Sequence, residues 1–182
     1  MQTSFAFAGL LVILPACIHD SAADHGAAAA NLNVNPEEIS HPAAAVQLRP
    51  LKGFHTNIER ATRANRHFRQ VLYTGRHLQL VLMSLKPGEE IGSEVHQTHD
   101  QFFRFEAGAG ECVVNGHRYP VAAGDVVIAP AGSTHNVINT DAARALQLYT
   151  LYAPPQHQDG IVRTTKLEAT ERPAPFKGHV TE

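Results

Sequence analysis

The chain reads as an all-β domain, a sandwich or barrel of short antiparallel strands. Three observations carry that reading. Apolar runs rich in β-branched and aromatic residues recur between Phe68 and Ala153, separated by turn residues at intervals of about 8–12. Asn115-Gly116, between Cys112-Val113-Val114 and Arg118-Tyr119-Pro120-Val121, is the strongest short hairpin signal a sequence carries. Long helical periods do not alternate with the strands, which argues against a parallel βαβ arrangement.

From the N-terminus, Phe5 to Leu14 is an uncharged apolar run of signal-peptide length, too short to span a bilayer. It ends in Leu14-Pro15-Ala16-Cys17, which resembles a bacterial lipoprotein processing site with Cys17 as the lipidated residue. Residues 1–18 are therefore expected to be a leader, placing the protein in the periplasm or on an outer-membrane lipid anchor. Two departures stand against this: no Lys or Arg precedes the run, and proline is unusual inside such a site. A misassigned start would leave the protein cytoplasmic. Residues 19–50, rich in Ala, Asn, Asp and Pro without a sustained period, read as a flexible tether.

The domain is expected over residues 51–166. Thr56-x-x-Glu59 has the form of a capping box and opens a short helix at 56–64. Arg60, Arg63, Arg66 and Arg69, spaced by three, would form a basic stripe on a short helix and read as its solvated face. Phe68–Tyr73 and Leu78–Leu85 are strand runs around the turn Thr74-Gly75-Arg76. After Lys86-Pro87-Gly88, the runs Ile91–His96 and Gln101–Glu106 read as a hairpin. Val126–Ala129, Thr134–Asn139 and Ala145–Ala153 complete the set. Residues 167–182 are a polar, proline-bearing tail expected to drape over the domain or fray.

Fifteen Lys and Arg against seventeen Asp and Glu give a formal charge of −2, so there is no electrostatic footprint for nucleic acid. Two cysteines exclude a disulfide framework. Cys112 sits in an apolar run and reads as a buried small hydrophobe.

Chemistry concentrates in two spaced blocks. The first holds Gly88, Glu94-Val95-His96, Gln101 and Gly108; the second holds Gly124, Pro130-Ala131-Gly132, His135 and Asn139. Glu94 and His96 lie two apart, so on a strand both face one side. Gln101 can face the same pocket from the neighbouring strand, and His135 follows a turn that Pro130 stiffens. Two imidazoles, one carboxylate and one amide oxygen form a donor set for a divalent ion, open to Zn, Fe, Mn, Co or Ni. Gln101 either ligates the ion or holds a water bound to it; Glu94 is either a ligand or a rim carboxylate. One carboxylate leaves the site net positive, able to polarise an oxygen or acidify a bound water. Phe103 and Phe105 share the parity of Gln101 and should line the pocket, while Phe102 and Arg104 face outwards. His99, His157 and Asp159 are expected near the mouth.

The blocks resemble the paired motifs of the cupin superfamily. Lys-Pro-Gly-Glu-Glu-Ile-Gly-Ser-Glu-Val-His (86–96) and Asp-Gln-Phe-Phe-Arg-Phe-Glu (100–106) are similar to a bacterial single-domain, type-2 cupin subgroup. The likeness runs from about Gly53 to Lys166. It implies a jelly-roll, or double-stranded β-helix, barrel with a metal inside, and pairing of two copies into a homodimer. The cupin pattern places His where Glu94 stands and Glu where Gln101 stands, so the carboxylate has moved. The resemblance leaves the reaction open. One reading is a metal-dependent enzyme on a small polar or anionic molecule, an isomerase, a lyase or a non-haem-iron-type oxygenase. The other is a non-catalytic binder of a small, sugar-like ligand with a structural metal.

Overall fold

The computed structural model describes residues 51–182. The expected leader, the lipid site at Cys17 and the tether lie outside these residues. Among the described residues, no helix is long and apolar enough to cross a membrane.

A short helix, α1 (Ile58–Ala64), leads into β1 (Arg69–Thr74), β2 (Gln79–Leu85), β3 (Glu94–Val95), β4 (Asp100–Ala107) and β5 (Ala109–Val114). Then follow β6 (His117–Ala122), β7 (Val126–Ala129), β8 (Thr134–Asn139), β9 (Leu146–Ala153), β10 (Val162–Arg163) and α2 (Lys166–Glu171). All strand pairs are antiparallel. They build a six-stranded sheet, ordered β10-β1-β2-β9-β4-β7, and a four-stranded sheet, ordered β3-β8-β5-β6.

The alternation of side chains explains the core. Phe103 and Phe105 of β4, Leu146 and Leu148 of β9, and Val81, Met83 and Leu85 of β2 point inwards from the larger sheet. Cys112 of β5 and Val137 of β8, paired in register, meet them from the smaller one. Each fully buried Leu, Phe or Met side chain contributes roughly 1.5–3 kcal/mol relative to exposure. Cys112 is buried as expected, and burial pushes its thiol up to about 12, which keeps it protonated and inert.

Asn115 (φ 48) and Gly116 (φ 81) both adopt the left-handed conformation that a tight hairpin between β5 and β6 requires. Asn139 ends β8 as a clamp. Its Nδ2 donates to the carbonyls of Leu85, Lys86 and Arg144, and its Oδ1 accepts from the Asp141 N–H. We expect Asn139→Ala to destabilise the domain by about 2–4 kcal/mol, read from urea unfolding, because it orphans buried carbonyls at once.

Several sequence expectations need correction. Asn57, not Thr56, caps α1: its side chain accepts from the Arg60 N–H. The 91–96 and 101–106 runs do not form a hairpin. β3 is only two residues long and pairs with β8, whereas β4 pairs with β7 and β9 in the opposite sheet. Phe102 lies on the outer face as expected, but its ring packs 6.1 Å from that of Tyr149. This outer-face aromatic is thus partly covered within one chain. The tail, expected to drape or fray, is tied to the domain: it opens with α2, and Gln158 N–H donates to Ala174 O, Phe176 N–H to Gln156 O and Thr181 N–H to Thr74 O.

Candidate functional site

β3 and β8 place Glu94 directly opposite His135 on the inner face of the smaller sheet. His96 follows one residue beyond β3 with the side-chain parity of Glu94. Its carbonyl accepts from the Gly132 N–H, which ties the first block to the Pro130-Ala131-Gly132 turn of the second. Gln101 arrives from β4, across the barrel. Glu94, His96 and His135 present one donor atom each, all within 4.8 Å of one another. Glu94 Oε1 lies 3.3 Å from His96 Nε2 and 3.5 Å from His135 Nε2, and Gln101 Oε1 lies 3.0 Å from His135 Nε2.

These separations fit a shared cation. Bonds of about 2.1 Å set adjacent donors roughly 3.0 Å apart in an octahedron and roughly 3.4 Å apart in a tetrahedron. Hydrogen bonding around His135 points the same way. Its Nδ1 is 3.1 Å from the Ser133 carbonyl, and its Nε2 faces the oxygens of Gln101 and Glu94. A neutral imidazole carries one proton and cannot satisfy acceptors at both nitrogens. Either His135 is an imidazolium, or Nδ1–H donates to Ser133 and a metal occupies the Nε2 side.

Without a metal, the electrostatics favour the charged pair. Burial alone would raise the Glu94 carboxyl, but the hydrogen bonds and charges of His135 and His96 outweigh it and hold it down at about 2. Burial alone would lower His135; Glu94 and the Ser133 carbonyl outweigh it and raise its pKa. Gln101 is fully buried and anchored, with its Nε2 donating to Thr150 Oγ1. Its oxygen is therefore presented to the cluster rather than free to swing.

The cluster opens on one side. Glu94 keeps 30% side-chain exposure where His135 keeps 2%, and with His96 it lines a cavity of about 410 Å³. Phe68, Arg69, His157 and Lys166 line the rest, roofed by α2 and residues 173–175. Two other depressions, beside β7 and below α1, are larger but receive none of the donors, so size does not choose the site.

The other sequence candidates separate clearly. Phe103 stands 5.8 Å from the His135 ring as an inner wall, and Phe105 lies deeper in the core. His99 turns away to Thr98 Oγ1 and the Pro155 carbonyl, so it borders the cluster without joining it. His157 does fold back to the cavity; burial drives its imidazole down to about 3, so it is neutral. Asp159 instead accepts from Thr181 Oγ1 away from the cluster.

Sequence reasoning missed Tyr152 and Arg69. Tyr152 is fully buried between His96 and His157, with ring centroids 5.7 and 5.0 Å away, and burial raises its phenol so that it stays neutral. Its inward parity along β9 was the available signal. Arg69 was read as part of a helical stripe, but α1 ends at Ala64 and Arg69 begins β1. Paired in register with Met83, it faces the barrel interior.

The cupin domain family matches residues 81–152, a span that holds every donor named above. A crystal structure of BH2720 from Bacillus halodurans is 43% identical, with a TM-score of 0.64, and this chain covers 97% of it and 69% of itself. The chain belongs to the cupin superfamily. Its type-2 motif pair and jelly-roll barrel follow from that membership. This cupin is also 44% identical, over 65% of its length, to the uncharacterized protein YrkC of Bacillus subtilis (strain 168), and spans 66% of that protein. It is 37% identical, over 58% of its length, to the uncharacterized protein L612 of Acanthamoeba polyphaga mimivirus, spanning 68% of it.

Proposed function

We propose that this cupin holds one divalent metal ion on Glu94, His96, Gln101 and His135 and acts on a small polar or anionic molecule that enters through the adjoining cavity. The observation that carries the proposal is His135, whose two ring nitrogens both face acceptors: Ser133 O at Nδ1, and Gln101 Oε1 and Glu94 Oε1 at Nε2, with His96 in the same cluster. A bound ion supplies Lewis acidity at that point. The protein's own groups do the rest. The Ser133 carbonyl fixes the His135 ring, Thr150 fixes Gln101, and the walls of Phe103 and Tyr152 keep bulk water from the inner side.

The test is to incubate metal-loaded protein with small hydroxy acids, keto acids and sugars, following each by NMR. Turnover lost in His135→Ala supports the proposal; turnover that persists in a folded, metal-free variant contradicts it. A binding role with a structural metal draws support from His157. Held neutral to about 3, it is too weak a base to take a proton near neutrality, and it is the cavity's nearest histidine outside the cluster.

We also propose export, on the leader ending at Leu14-Pro15-Ala16-Cys17. In a bacterial host, labelled palmitate should enter the full chain and be lost in Cys17→Ala. Full-length, unlabelled protein confined to the cytoplasm would contradict it.

A further inference from the structure

Five of the described arginines find a carboxylate: Arg63 with Glu59, Arg104 with Glu106, Arg118 with Glu111, Arg144 with Asp141 and Arg172 with Glu168. Arg69 has none among the described residues, although it lines the cavity beside the donor cluster. Its Nε is buried and has no hydrogen-bond partner among the described residues. Its guanidinium lies over the Phe68 ring, with Cζ 5.7 Å from the centroid, which restricts its plane. Glu94 shares the cavity but is engaged by His96 and His135, and Lys166, also on the wall, is within 3.7 Å of Glu90. A buried guanidinium N–H without a hydrogen-bond partner is costly, and an anion arriving from outside would supply one.

A second, independent group lines the same cavity. His157 is only 9% exposed, lines the cavity, and its Nε2 is buried without a partner. Its position is fixed rather than incidental. Its backbone N–H donates to Gln79 Oε1, its carbonyl accepts from Gln79 Nε2, and its ring stands edge-on to Tyr152.

We propose that Arg69 and His157 form a carboxylate-binding subsite, holding the acidic end of a small organic acid whose other polar end reaches the Glu94–His96–His135 cluster. The second half of that statement rests on the metal reading above; the carboxylate contact itself needs no ion. A guanidinium carries parallel N–H donors, the fork that matches a planar carboxylate. His157 Nε2, in the tautomer that carries its proton there, adds a third donor. Phe68, Ile91 and Ala169 on the same wall suit a short carbon skeleton.

The test uses the purified full chain in metal-free and zinc-loaded forms. Calorimetry measures glycolate, pyruvate and succinate, with ethylene glycol as the uncharged counterpart of glycolate and inorganic phosphate as the competing anion. The carboxylates should bind both forms, and bind the zinc-loaded form more tightly. Arg69→Gln should weaken them roughly tenfold or more, Arg69→Lys should recover part of that loss, and His157→Asn should cost less, all with unchanged zinc content. Arg69→Met guards against misfolding as an explanation. Without ligand its melting temperature should equal or exceed that of wild type, and glycolate should no longer raise it. The subsite is overturned if folded Arg69→Gln binds carboxylates as wild type does, if phosphate binds more tightly than every carboxylate, or if none of the three binds wild type by about 10 mM. Protein that takes up no zinc yet binds carboxylates through Arg69 would retain the subsite and discard the metal reading.

Discussion

His135→Ala should lose divalent metal while the barrel stays folded. Its Nε2 is the donor against which both Glu94 Oε1 and Gln101 Oε1 are set, at 3.5 and 3.0 Å. Loss of an outer partner of a ligand already lowers metal affinity by about 10–100-fold, so loss of the ligand itself should exceed about 100-fold. His96→Ala should behave similarly. Gln101→Ala should cost less, because a neutral amide oxygen is the weakest donor of the four. Gln101→Glu adds a second carboxylate and should tighten binding, while making any bound water less acidic. Metal content by elemental analysis, with folding followed by circular dichroism, reads all four. Equal metal in wild type and both histidine variants would place the site elsewhere.

The second large effect is on pH dependence. In metal-free protein, Glu94 falls from 4.5 to about 2, so its contribution to stability is present above 4.5 and is lost as pH drops from there through about 2. His135 is raised from 6.5, so its contribution is present below 6.5 and is lost as pH climbs through its higher folded value. Metal-free protein should therefore be most stable between these limits. A metal needs the Nε2 lone pair, and His135 must first lose its proton. Affinity should then rise about tenfold per pH unit and level off above the raised pKa of His135. Melting temperatures with and without zinc should diverge steadily from pH 5 upwards. A gap that does not change over pH 5–7 would exclude His135 as a ligand.

How much of this was legible in the sequence depends on the range of the interaction. Side-chain parity is local, and it placed Glu94 with His96 and Gln101 with Phe103 and Phe105 correctly. The Asn115-Gly116 hairpin is also local, and it holds with both residues at positive φ. Strand partnership is not local. Glu94 and Gln101 look like two arms of one hairpin because seven positions separate them, yet β3 joins β8 and β4 joins β9. Only the closing of one sheet over the other brings the two donors together. Arg69 shows the same limit. A spacing of three reads as helix, but Asn65 ends α1 by satisfying its own backbone and that of His67, and the arginine after it enters a strand facing inwards. The tail's part in roofing the cavity rests on contacts such as Gln158 to Ala174 and Phe176 to Gln156, which no local pattern encodes.

Anomalous diffraction from crystals of metal-loaded protein, collected on either side of the metal's absorption edge, tests the central proposal most directly. The expected result is one strong peak about 2.1 Å from His96 Nε2, His135 Nε2 and a Glu94 oxygen, with Gln101 Oε1 completing the set. A peak at any other place in the barrel, or none in a crystal soaked with excess zinc or manganese, would contradict it.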